Sequence, residues 1–165
     1  SCEHPFTIGG ALALQAAALE SGAGAVSEQH PVLAGYRAFG LPLGEGFQLR
    51  DDELGVFGRP EVTGKPAGDD LREGKRTVLV ALTSAALSEQ EAALLHDSLG
   101  NPNLSDEQVE RIRELMVSSG AFAEHERLIE QKSHAVFEAL EALELDELVR
   151  AALSDIVDRA LRRKS

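Results

Sequence analysis

Apolar positions recur along this chain at helical spacing in almost every segment, and the pattern breaks where glycine or proline falls. From Pro5 to about Ser21 the run is small and apolar, Thr7-Ile8-Gly9-Gly10-Ala11-Leu12-Ala13-Leu14, a helix whose small residues let a neighbour approach closely. Gly22 to Ala25 is a turn. A second helix starts at Pro31, a residue suited to a first helical turn, and carries Val32, Leu33, Tyr36 and Phe39 inward. Gly40 and Pro42 interrupt it, and Pro42, which has no N–H to donate, is expected to kink it. Phe47, Leu54 and Phe57 form the apolar stripe of its last part. Gln48, Asp51, Asp52 and Gly55 lie at three- and four-residue spacings on the opposite face. Gly58 to Gly74, rich in Gly and Pro, reads as a loop.

Beyond the loop, helices follow one another to the end. Lys75 to Leu87 carries Val78-Leu79-Val80-Ala81-Leu82 and reads as a buried strut. Ser88 with Glu91, and Ser105 with Gln108, are capping boxes, and Leu104 with Val109 adds a hydrophobic staple. Gly100 and Gly120 are natural C-terminal stops. The helix over 105–119 repeats Val109, Ile112, Leu115 and Met116, and the next, about 121–143, carries Phe122, Ile129, Val136, Leu140 and Leu143. The last, over 146–163, turns Val149, Leu153, Ile156 and Val157 inward. His96, His125 and His134 lack metal-ligand spacing and read as surface or partner-facing groups, so these C-terminal helices read as scaffold.

Composition narrows the class. A chain of 165 residues with 43% hydrophobic residues folds around one ordinary core, and 1–165 is read as a single helical domain. Helix formers dominate, aromatics are few and Trp is absent, which makes the fold class all-α. The net charge of −12 argues against a nucleic-acid surface, which needs a basic stripe. Cys2 is the single cysteine, so an internal disulfide is impossible and a cytoplasmic setting is expected. No apolar run reaches membrane-spanning length and no signal peptide is seen.

Charge makes Gly44 to Arg76 the unusual stretch. It holds four aspartates in two adjacent pairs, Asp51/Asp52 and Asp69/Asp70, with Lys65 and Lys75 set among them. Asp51, Asp52 and Glu53 fall in the last turns of a helix, where the negative end of the dipole disfavours carboxylates. Like charges about 4 Å apart repel by about 1 kcal/mol in bulk water and by about 4 near a protein surface. The two lysines offset some of that, and a divalent cation would offset the rest. Mg²⁺ suits such a place, because it takes hard oxygen ligands and bridges to phosphate. The alternative is an acidic, solvated helix end before a surface loop. A P-loop fails, because five residues rather than four separate Gly58 from Gly64-Lys65 and Pro66 stands where Ser or Thr should be. An EF-hand fails for want of alternating oxygen ligands and a twelfth-position glutamate.

The run Gly44-Glu45-Gly46-Phe47-Gln48-Leu49-Arg50-Asp51-Asp52, then Val56-Phe57-Gly58, Thr63-Gly64-Lys65 and Gly68-Asp69-Asp70-Leu71-Arg72-Glu73-Gly74-Lys75-Arg76-Thr77, resembles the second aspartate-rich region of trans-isoprenyl diphosphate synthases, the polyprenyl synthetase family. The resemblance implies the C-terminal part of the isoprenoid synthase helical bundle. It implies an enzyme that ionises an allylic diphosphate and couples it head-to-tail (1′–4) to isopentenyl diphosphate, with Mg²⁺ clamping the leaving diphosphate between two aspartate-rich motifs.

Position by position, the resemblance makes Asp51 a direct metal ligand, with Asp52 and Asp70 completing the metal set through waters. It makes Lys65 and Lys75 the diphosphate holders and sets Gln48 beside the reacting chain, with Asp51, Asp52 and Lys65 as the catalytic group. Two departures stand out: Gly55 occupies the third place of the Asp-Asp-x-x-Asp pattern, and Arg59 replaces an aspartate of a Gly-Asp-Pro turn. Because Ser1-Cys2-Glu3-His4-Pro5 matches a point well inside the family's sequence, the chain is expected to be a fragment lacking the first aspartate-rich motif. It is then inactive alone, and a homodimer when whole. The alternative function is a non-catalytic partner or regulatory subunit of a prenyl synthase.

Overall fold

Glycines, prolines and capping hydroxyls set the ends of nearly every helix in this chain. The computed structural model describes residues 3–162 except 23, 24, 26, 28, 29, 65 and 67. Their order is α1 (Glu3–Ser21), α2 (Pro31–Phe57), α3 (Pro60–Thr63), α4 (Asp69–Arg72), α5 (Val78–Ala86), α6 (Glu89–Ser98), α7 (Asp106–Ser118), α8 (Ala121–Ala142) and α9 (Glu147–Leu161). Among the described residues there is no strand, in agreement with the all-α reading. None of these helices is long and apolar enough to cross a membrane. Of the predicted turn at 22–25, Gly22 has φ 71° and residues 23 and 24 lie outside the described set.

The chain packs as two units, one of residues 1–47 and 130–162, the other chiefly of 48–129. In the first, Phe39 and Leu43 of α2 meet Val136 and Leu140 of α8 and Val157 and Leu161 of α9. The Phe6 ring of α1 stands edge-on to Phe39 at 5.0 Å between centroids. Gly10 is buried, and a Cβ there would overlap the Tyr36 ring, so the small-residue run of α1 does permit the close approach expected of it. α2 runs unbroken through Gly40 and Pro42, against the predicted interruption. The lost Pro42 hydrogen bond is one among many, and the buried side chains on either side of it, Phe39 and Leu43, hold the helix in its core. The inward face predicted for α9 holds at Val157, which is buried, and at Leu153, which packs against the same core, but not at Val149 and Ile156, each 48% exposed; Leu161 is buried in their place. Both faces are apolar at helical spacing, and periodicity alone cannot rank them.

The second unit carries the aspartate-rich stretch. Its core gathers Val56 of α2, Leu71 of α4, Leu79 and Val80 of α5, Leu95 of α6, and Val109, Ile112 and Met116 of α7. Both predicted capping boxes form. Gly100 and Gly120 take the left-handed conformation that ends α6 and α7. α5 begins at Val78 because the Thr77 hydroxyl accepts the Val80 N–H. The predicted loop over 58–74 contains two single helical turns, α3 opened by Pro60 and α4 preceded by Gly68 at φ 70°. The Leu71 carbonyl accepts the Gly100 N–H at 2.9 Å, and Leu71 itself is fully buried, so α4 is anchored at its middle.

Candidate metal site

Asp51, Asp52 and Glu53 leave α2 in three directions, because successive helical residues step by about 100°. Asp51 points into solvent, while Asp52 and Glu53 are buried. The predicted stripe of Phe47, Leu54 and Phe57 is only half-buried; Leu49, Asp52, Glu53 and Val56 form the covered face instead. The sequence reading puts these carboxylates on the outer face; here two of them turn inward, Asp52 bonded to Gln48 and Glu53 to Arg50, both of α2 itself.

Glu53 is neutralised away from the other acids. Arg50 Nη1 lies 2.6 Å from both Glu53 Oε2 and Glu126 Oε1. Burial, and then the hydrogen-bonded Glu126 carboxylate, push Glu53 up to about 8, while Glu126 is held below its ordinary range by that same bond. Burial and its neighbour thus favour the protonated form of Glu53.

Asp52 remains in the acidic wall. Its Oδ1 accepts Gln48 Nε2 at 2.8 Å, which is where the exposed Gln48 amide goes. Burial raises the Asp52 carboxyl, and the negative charges of Asp70 and Asp51 add to the rise, against the Gln48 bond and His125. Asp70, on α4, is 4% exposed and pairs with Lys75 Nζ at 2.5 Å, and the same ammonium lies 3.2 Å from Glu73. Asp70 first, then Glu73, hold Lys75 above the usual lysine range.

Within the described residues, the acidic group close enough to share one ion is Asp69, Asp70 and Glu73, whose carboxylate oxygens lie within 4.8 Å of one another. Of the predicted metal set, that group contains Asp70 alone; Asp51 and Asp52, on α2, are not in it. The whole donor set is carboxylate oxygen, with no thiol or imidazole in the group, and that chemistry fits a hard divalent cation. Lys65 lies outside the described residues.

Three positioning groups escaped the sequence reading. His125, read as a surface group, is completely buried, with Nε2 donating to the Leu49 carbonyl at 2.9 Å and Nδ1 without a partner. A signal existed, since Ala121, His125 and Ile129 share one buried face at four-residue spacing. Arg113 of α7 places Nε and Nη2 at 2.9 and 2.6 Å from the Val56 carbonyl near the end of α2. Four residues on stands Pro60, which has no N–H, so helix continuation cannot satisfy that carbonyl. α2 has no basic residue in its last turn, and Arg113 supplies the cation from another helix. The Arg50–Glu126 bridge had no local signal at all.

The all-α scaffold, with Asp52 of α2 and Asp70 of α4 buried and Lys75 paired to Asp70, is of the isoprenoid synthase type. The chain belongs to the polyprenyl synthetase family, whose profile matches residues 10–116. It is 40% identical over 111 residues to the (2E,6E)-farnesyl diphosphate synthase of Mycobacterium bovis, covering 66% of this chain and 31% of that protein. To the geranylfarnesyl diphosphate synthase of Aeropyrum pernix it is 36% identical over 125 residues, 73% of this chain and 38% of the relative. The geranylgeranyl pyrophosphate synthase of Corynebacterium glutamicum, solved in complex with isoprenyl diphosphate and magnesium, superposes with a TM-score of 0.77 at 36% identity. That match covers 87% of this chain and 40% of the solved one. The chain thus spans well under half the length of these relatives.

Proposed function

We propose that the complete gene product is a Mg²⁺-dependent trans-prenyltransferase, and that this chain carries its second aspartate-rich wall. The reaction is the 1′–4 condensation of an allylic diphosphate with isopentenyl diphosphate to a polyprenyl diphosphate. The observation that carries the reading is the joining of α2 to α4: buried Asp52 feels the charge of Asp70, and Asp70 holds Lys75 at 2.5 Å. A merely solvated helix end has no reason to bury two like charges against each other.

In this reading Asp51, exposed on α2, is the direct metal ligand, and Asp52 and Asp70 support it. Gln48 fixes Asp52 by its 2.8 Å bond and lies beside the reacting chain. Lys65 and Lys75 hold the allylic diphosphate, and Lys75 stays protonated through the neutral range because Asp70 keeps its proton on. Bound Mg²⁺ supplies the charge that makes the diphosphate a leaving group. The working form is taken as a cytoplasmic homodimer, as the family resemblance implies.

The test uses the complete gene product. Mg²⁺ and an allylic diphosphate analogue together, at 100 times the dissociation constant, should add about 2.7 kcal/mol of stability. Asp51→Asn should lower turnover at least about a hundredfold, the order found on removing a group that stabilises developing charge. Asp106→Asn, at an α7 position 92% exposed in its pair with Arg72, should change little. No shift with the pair of ligands would refute the enzyme reading and favour a non-catalytic partner subunit, whereas equal turnover in the two variants would show that Asp51 does not stand at the site.

A further inference from the structure

Position 55 is where an Asp-Asp-x-x-Asp pattern places its third carboxylate, and there the chain has a glycine. Gly55 is an ordinary helical residue without a positive φ, so backbone freedom does not explain it. Space does. A Cβ built on Gly55 would overlap Cγ and Oδ2 of Asp70 and come within 2.9 Å of Oδ1, closer than real Cβ atoms approach.

Asp70 has little room to give way. Its carboxyl group is one methylene from the backbone, 4% exposed, and tied to Lys75 Nζ at 2.5 Å. Its own carbonyl accepts the Lys75 N–H at 3.0 Å. On one side of it Leu71 is fully buried and hydrogen-bonded to Gly100; on the other Gly68 lies so near Val109 that a Cβ there would overlap that side chain. The turn of chain that carries Asp70 is therefore pinned, and a side chain at 55 must displace either the carboxylate or the turn.

We propose that Gly55 is a positioning residue, whose bare Cα lets Asp70 reach in from α4 against α2, where it holds Lys75. The same contact sets where Lys75 meets the diphosphate. Aspartate at 55 would then add no ligand but would expel Asp70 and loosen Lys75. The inference rests on the synthase reading for its kinetic consequence, though its geometric part stands without it.

The experiment compares Gly55→Ala, Gly55→Asp, Asp70→Ala and the doubles Gly55→Ala/Asp70→Ala and Gly55→Asp/Asp70→Ala in the complete gene product. Chemical unfolding without metal reads the geometry. Alanine is the better helix former, so Gly55→Ala should raise the unfolding midpoint in the Asp70→Ala background and lower it in the native background. A rise in both backgrounds, or no change in either, overturns the close approach whether or not the protein is a synthase. Steady-state kinetics read the positioning. Gly55→Asp should raise the KM for the allylic diphosphate at least tenfold, and by more than kcat falls, and Gly55→Asp/Asp70→Ala should have the KM of Asp70→Ala, since both lose the same hold on Lys75. A Gly55→Asp variant with wild-type KM, or a double whose KM rise is the product of the two single effects, overturns the positioning role. Absence of turnover in the wild-type protein would instead sink the synthase reading and the kinetic half with it, leaving the midpoint reversal to decide the contact.

Discussion

Removal of the Arg113 head group tests how α2 ends. In Arg113→Met the aliphatic stem remains, while both donors to the Val56 carbonyl, at 2.9 and 2.6 Å, disappear. Val56 is fully buried, and Pro60 offers no N–H in their place. An unsatisfied buried acceptor costs about 1–3 kcal/mol. Losing a cation at a helix C-terminus adds about 0.3–1 kcal/mol. The Phe57 ring, 5.8 Å from the guanidinium carbon, loses a contact worth about 0.5–1 kcal/mol. The pair with Glu110, whose side chain is 63% exposed, adds almost nothing. Water reaching the vacated site would recover part of the first figure, so about 2–4 kcal/mol is expected in all. Arg113→Lys should recover about half, because an ammonium cannot present two donors in a fork. The assay is urea unfolding at constant m-value, so that a shifted midpoint reports stability alone. A change below about 0.5 kcal/mol in Arg113→Met, the scale of ordinary surface substitutions, would show that Arg113 does not cap α2, and so would a lysine variant equal to wild type.

Two further outcomes are expected. Glu53 is raised in the folded state from 4.5 to about 8, so its contribution to stability is whole below about pH 4.5 and is lost as pH rises through 8. Asp52, raised chiefly by burial, has the same sign, and Glu126, held low, has the opposite sign and acts at acid pH. In EDTA the wild-type protein should lose on the order of 1 kcal/mol per pH unit over the neutral range, and Glu53→Gln should flatten that slope; a wild-type midpoint constant between pH 5.5 and 8, or an equally steep variant, would refute this. Lys65→Ala should raise the allylic diphosphate KM with Lys65→Arg rescuing it in part, since lysine meets phosphate as a compact point charge, and unchanged kinetics in Lys65→Ala would make it a solubilising lysine only.

The helices of this chain are written in its local chemistry. The Ser88–Glu91 and Ser105–Gln108 boxes, the glycine stops at 100 and 120 and the stripe from Val109 to Met116 each depend on groups within four residues of one another, and each forms as expected. The order of Gln48, Asp51, Asp52, Lys65, Asp70 and Lys75 was likewise legible, and with it the family. What the tertiary structure decided was the fate of each charge. Glu53 leaves the acidic wall because Glu126 and Arg50, 76 residues apart, close on it, and α2 receives its terminal cation from Arg113, 57 residues beyond Val56. His125 goes inside because the Leu49 carbonyl accepts its proton. Asp70 stands over Gly55, so a carboxylate from another segment fills the space that a Cβ there would need. Helix periodicity and caps act along the backbone over one turn, whereas burial, neutralisation and close approach act through space between segments that only the fold brings together.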